Sequence, residues 1–312
     1  MRLPRIARIH LLVALGAGVL SALLSIWWQQ SYWVDLNLPL CSSRLLLSGK
    51  DPYAACYTDY NGNPSASYPL TTVLAFLPFA LLPGAYLGVA VLWGVFNGLL
   101  AFGLFKQGKP WLFLVFLSAP YWASFAFHQF SPLMAAVYLL PGLLPLALLK
   151  PQIGLPVILS RLTRRRLVAL LVFLGLTFLV YPGWLKAWLA SARNYDGVIP
   201  LLIFPLGLVL LLALIKFRDP GARFLLLMAC MPQRSIYDTT ALYLLPSSLR
   251  QMLFICFMGW LAFLPPFLAS DWKVPASEVR LSLYFVYLPL TLLLLLGRTA
   301  KPADLAGQPP VE

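Results

Sequence analysis

The side chains able to do chemistry in this sequence are few and are set in hydrocarbon. Asp35 follows an apolar run (residues 11–28) that ends in Trp27 and Trp28, so a carboxylate stands at the rim of a hydrophobic segment. So placed, it could take a proton from a hydroxyl as a general base; the other reading is a solvated loop aspartate. Lys150 lies between broken apolar half-segments. Burying an ammonium alone is costly, so it must meet an anion or a wet cavity. Arg234 and Asp238 sit four residues apart inside another interrupted apolar run, either paired with each other or lining a site. A lysine and an arginine on one cavity would hold a phosphate group. His128 and Gln129 close an apolar run with two hydrogen-bonding groups, suited to capping and interhelical bonding or to a ligand.

The polar loop at residues 31–69 surrounds Asp35 with Asp51, Asp59, two cysteines and several tyrosines. Cys41 and Cys56 share that loop, and a disulfide between them would close about 15 residues, worth ~3 kcal/mol in the chain-entropy model. Cys230 and Cys256 fall in apolar runs and read as small core residues. The two histidines, His10 and His128, show no paired ligand spacing, so no metal and no cofactor is expected.

The elements that must position these groups are hydrophobic. The chain has 312 residues, of which 61% are hydrophobic and 11% charged, and its mean hydropathy is +0.82. Soluble domains carry about 25% charged residues, so the composition is that of an integral membrane protein. About 20 apolar residues are needed per helical span, and about eight to ten candidate segments, some broken or half-depth, predict an all-α polytopic helical bundle. Residues 1–297 form one such domain, and 298–312 a polar, disordered tail. The net charge of +13 comes from short clusters between spans (Arg161, Arg164, Arg165 and Arg166 among them), the pattern of cytoplasmic anchoring rather than nucleic-acid binding. With the acidic residues 35, 51, 59, 196, 238, 271 and 278 on the other face, this predicts a multi-pass plasma (inner) membrane protein with both termini cytoplasmic.

Local signals refine this map. Gly16 and Gly18 suit close helix packing. Residues 36–48 can form an interfacial helix closed by Gly49, with Arg44 on its wet side. Pro141, Gly142 and Pro145 break residues 131–149 into two half-helices, and residues 232–238 interrupt the run 224–246. Lys106 and Lys109 conflict with a simple count. Two full spans between residues 69 and 104 put them outside, and only a tilted or half-depth first segment returns them to the basic side.

The order of elements resembles glycosyltransferase family 87. Matching residues are Asp35 after the first span, Gly49-Lys50-Asp51-Pro52-Tyr53, Tyr68-Pro69, Gln129 in a Gly-Gln-x-Asn-like element, and Lys150-Pro151. Leu70 stands where the family has a second proline, Ser131 where it has asparagine, and the stretch from Gln129 to Lys150 is short. The resemblance implies a C-type glycosyltransferase fold and inverting transfer of a mannose-like sugar from a polyprenyl-phosphate sugar donor to a lipid or glycan hydroxyl acceptor on the non-cytoplasmic side. Asp35 would be the catalytic carboxylate, Lys150 and Arg234 the donor-phosphate ligands, and Tyr53, Tyr68, His128, Gln129 and Asp238 substrate-binding residues. The alternatives are a lipid or small-solute transporter built on the broken helices, or a non-catalytic membrane scaffold.

Overall fold

The computed structural model describes residues 5–30, 34–53, 56, 68–193, 195–268 and 275–297, with backbone only at 5–7, 265–268 and 275–277. Asp59, Asp271 and the tail at 298–312 lie outside the described residues. Among the described residues the chain is all-α, with only an isolated bridge between Val198 and Gln233 in place of a sheet. In order, the α-helices are α1 (Arg5–Gln29), α2 (Asn37–Leu47), α3 (Leu70–Ala80), α4 (Ala85–Lys106), α5 (Ala119–Phe127), α6 (Ser131–Leu139), α7 (Pro151–Arg161), α8 (Arg164–Val180) and α9 (Trp184–Ala192). They continue with α10 (Pro220–Ala229), α11 (Leu249–Leu268), α12 (Pro275–Ser282) and α13 (Leu288–Leu296). A π turn, Leu283–Tyr287, joins the last two.

Three stretches are long and apolar enough to cross a membrane: Arg8–Gln29, Ala85–Lys106 and Glu278–Leu296. Up to five qualify if each bent pair is one span, the bends being 50° between Pro110–Leu117 and α5 and 101° between α8 and α9. The other expected segments are shorter because proline divides them. Pro110 and Pro141 open 3-10 stretches at Pro110–Leu117 and Pro141–Leu149, and Pro205 precedes another at Leu206–Lys216. Proline removes a donor and crowds the preceding turn, so the regular α ladder does not run through these positions.

Helices α1 and α4 pack antiparallel. His10 stacks on Phe105 at one end, with ring centroids 5.2 Å apart, and Gln29 Nε2 donates to the Tyr86 carbonyl at the other, at 3.3 Å. Between them the backbones nearly touch. A Cβ on Gly18 would lie 2.9 Å from the Gly94 carbonyl oxygen, and one on Gly94 would lie 2.7 Å from that of Gly18. Such an approach admits only glycine. Gly16, the other half of the expected pair, meets nothing within 4 Å.

Helix α3 has 11 residues, about 16 Å at 1.5 Å per residue, roughly half of a ~30 Å hydrocarbon core. Helix α4 runs the full length of α1, from Tyr86 beside Gln29 to Phe105 beside His10. Lys106 and Lys109 therefore emerge at the same end as the N-terminus.

Helix α2 is docked on α3. Cys41 and Cys56 form a disulfide with Cα atoms 5.8 Å apart, and Ser43 Oγ donates to the Val73 carbonyl at 2.8 Å. Gly49, at φ 72°, takes the left-handed turn that ends the helix. Arg44 departs from the expected wet face. Its guanidinium is half-buried and donates to the carbonyls of Ala80 (3.3 Å), Leu82 (3.4 Å) and Gly84 (2.7 Å). The last turn of α3 leaves carbonyls without helical partners, and an arginine fork satisfies them more fully than loose water contacts would. Cys256 is buried as expected, but Cys230 is exposed, because it caps α10 at an outward-facing turn.

Candidate functional site

Several of the candidate side chains converge where helices break. Asp35 sits in the turn between α1 and α2, and its backbone N–H donates to the Phe127 carbonyl at 2.9 Å, which ties the turn to the end of α5. Trp28 Nε1 makes a second tie to the Ala126 carbonyl, also at 2.9 Å. Helix α5 ends at His128 with φ 48°, a left-handed residue that reverses the chain and delivers Gln129 into the interior. From Ser131 the chain runs down α6, turns at Leu140, and returns along the 3-10 stretch to Lys150, which precedes α7. This short hairpin explains how a connection of about 20 residues brings Gln129 and Lys150 together. Thr71 and Thr72 of α3 hold it there by donating to the carbonyls of Leu148 (2.8 Å) and Leu149 (2.6 Å).

The result is a continuous chain of hydrogen bonds. Gln129 Nε2 donates to Asp35 Oδ2, while its Oε1 accepts from Lys150 Nζ at 2.9 Å. Lys150 Nζ also pairs with Asp238 Oδ1 at 3.0 Å and lies 4.9 Å from the centroid of the Tyr237 ring. The lysine is only 4% exposed, and a charge so deeply set persists because both an anion and a neutral acceptor receive its protons. Asp238 Oδ2 accepts the Arg234 backbone N–H at 3.1 Å.

Arg234 and Asp238 are thus linked, but not by their charged heads. The Arg234 guanidinium pairs with Asp196 instead, Nε to Oδ1 at 3.0 Å, with the side chains 40% and 58% exposed. The bridge between Val198 and Gln233, with backbone bonds of 2.7 and 2.9 Å, lays the two segments side by side and sets this partner. Gly197 permits the approach, since a Cβ there would lie 2.2 Å from the Tyr195 ring and 2.9 Å from Pro232. On the other side, Ser235 Oγ donates to the Glu278 carboxylate at the start of α12. Asp196 and Glu278 are site residues that sequence reasoning treated only as outward charges. Their segments carry no motif, and only the bridge and the serine contact identify them.

Charge balance sets the chemistry available. Two cations face two carboxylates as ion pairs, Lys150 with Asp238 and Arg234 with Asp196. Asp35 and Glu278 have neutral donors instead, Gln129 and Ser235. Burial raises the Asp35 carboxyl above its ordinary range, against the opposing pull of Lys150 and Arg234. A carboxylate made more basic in this way, without a direct ion pair, is the kind that accepts a proton in catalysis.

The remaining expected site residues divide. Tyr68 packs its ring against Phe130, 5.1 Å between centroids, one residue beyond Gln129. Tyr53 goes to another cluster, stacking on Tyr181 at 6.3 Å beside Trp184, because its turn is fixed by its own N–H donating to Asp51 Oδ1 at 2.9 Å. His128 is fully buried, its Nε2 2.6 Å from Ser25 Oγ and its ring 4.9 Å from that of Trp93. That placement is the capping and interhelical use. Among the described residues no group of three His, Cys, Asp or Glu side chains could hold a metal ion. Comparison of the chain with protein-family models, curated proteins and solved structures finds no match.

Proposed function

We propose that this protein is a membrane glycosyltransferase that moves a mannose-like sugar from a polyprenyl phosphate to a hydroxyl acceptor on the non-cytoplasmic side of the plasma membrane. The observation that carries the reading is the Asp35–Gln129–Lys150 relay, which sets a basic carboxylate one side chain away from a buried cation. In a single displacement the acceptor oxygen attacks the anomeric carbon, and Asp35 takes the hydroxyl proton. The bond from that carbon to the phosphate oxygen breaks, and the electron pair leaves with the polyprenyl phosphate, whose charge Arg234 and Lys150 balance. Arg234 is the outer of the two cations, partly exposed and held by a more exposed Asp196, so an incoming phosphate can exchange for that carboxylate. Gln129 holds Asp35, and Tyr68 stacks on Phe130, the residue after Gln129.

The test is transfer of radiolabelled mannose from polyprenyl phosphate to an acceptor extract by the purified chain and its Asp35→Asn variant. The variant keeps the size of the group and removes its basicity. Transfer is expected to fall by about 10²–10⁴, the usual worth of a positioned base, and variant turnover within a few-fold of the parent would sink the assignment. Transport is the second reading, favoured by the half-depth hairpin of α6 and the 3-10 stretch. Uptake of solute into proteoliposomes without any transfer would select it.

A further inference from the structure

A cavity of about 280 Å³ opens at the end of the bundle away from Asp35, lined by Tyr138, Lys216, Asp219, Ser247, Gln251 and several leucines of α13. We infer that this cavity is a binding site for the phosphate headgroup of an anionic phospholipid, whose chains lie along the leucines.

Its walls are chemically divided. Leu245, Leu290, Leu293 and Leu294 form a hydrocarbon side. The polar side carries Lys216, whose Nζ spends one proton on the Gly297 carbonyl at 3.0 Å; an ammonium has three. Gln251 Oε1 accepts both the N–H and the hydroxyl of Ser247, at 2.8 and 2.9 Å, which leaves its amide N–H groups to face a ligand. The one carboxylate present is already engaged, since Asp219 Oδ1 accepts the backbone N–H groups of Gly221 (2.6 Å) and Ala222 (3.3 Å) at the start of α10. Further cations stand behind. The Arg161 guanidinium lies 4.2 Å from the Tyr138 ring centroid, its Nε buried without a hydrogen-bond partner, and Arg223 is within electrostatic range of the same tyrosine. Three cations against one occupied carboxylate favour an anion. A leucine wall favours one that carries hydrocarbon. Basic pockets between helix ends that receive anionic headgroups follow this physics. The site stands apart from the Asp35 relay and does not depend on sugar transfer.

The experiment titrates the purified chain in neutral detergent with phosphatidylglycerol, phosphatidylcholine or inorganic phosphate, reading the thermal midpoint and lipids retained in native mass spectra. Phosphatidylglycerol is expected to raise the midpoint and remain bound. Lys216→Gln should weaken its apparent affinity at least tenfold, Gln251→Ala less, and Lys216→Arg should retain it, which separates lost charge from lost folding. Arg165→Gln, an exposed arginine at the same end, should change little. Equal shifts from phosphatidylcholine, equal shifts from inorganic phosphate, or equal losses in Arg165→Gln and Lys216→Gln would each overturn the inference.

Discussion

The two ends of this bundle use the same residue types in opposite ways. At the end around Asp35, charged groups are cross-paired between distant segments, Lys150 with Asp238 in the interior and Arg234 with Asp196 at its half-exposed edge. At the end marked by Lys106, Lys109, Arg164, Arg165, Arg218, Arg223 and Arg250, those side chains are exposed. Lys150 and Lys106 differ in their surroundings, not in chemistry. One has Asp238 and Gln129 within 3.0 Å, whereas the other lies over the Phe102 ring at 5.8 Å with water available. What decides whether a charge is buried is the partner supplied by another segment.

The largest effect that would test this contrast is loss of one member of the buried pair. Lys150→Met leaves Asp238 as an uncompensated charge and is expected to cost about 3–5 kcal/mol of stability. Lys150→Met combined with Asp238→Leu should recover most of it, because matched apolar groups replace a buried pair at little cost. Thermal unfolding in detergent measures both, and equal instability of single and double variants would break the argument.

A smaller effect concerns pH. If Asp35 is the base proposed above, it accepts a proton only when ionised, so transfer should fall as pH drops through its pKa, which burial holds above the ordinary value of about 3.9. Arg234→Gln removes one of the two charges that oppose this shift. The acid limb of the rate profile is expected to move to higher pH in that variant. An unchanged limb would mean that Arg234 does not sense Asp35. The smallest effect belongs to the end marked by exposed basic residues, where Arg165→Gln should alter stability by no more than about 0.5 kcal/mol.

Much of this contrast is legible before folding. The all-α class follows from composition, and the breaks near residues 141–145 and 232–238 follow from proline and polar residues inside apolar runs. Asp35, Gln129, Lys150 and Asp238 stand out because a polar group in hydrocarbon must find a partner. The identity of the partner is another matter. Asp238 looks paired with Arg234 at four-residue spacing, yet that spacing aligns side chains only on a regular helix, and the chain here runs extended from Gln233 to Ser235 before its 3-10 turn. Asp196 and Glu278 reach the site through contacts between segments far apart in sequence. Tyr53 leaves it because a local turn fixed by Asp51 directs its ring to Tyr181.

The hairpin of α6 and the 3-10 stretch has a consequence for biogenesis. Its limbs have nine residues each, well below the roughly 20 that partition into lipid by themselves, and Lys150 at its end opposes insertion. A ribosome-bound chain presents α1 and α4 first, and these are long enough to enter a bilayer unaided. The hairpin must then wait at the insertion channel for a protein surface, not lipid, to receive it, and Asp238 emerges nearly ninety residues later to neutralise Lys150. Residues 131–150 fused alone between soluble reporters are expected to remain uninserted, whereas α4 in the same context should insert. Efficient insertion of the isolated hairpin would show that lipid, rather than the earlier helices, is its first solvent.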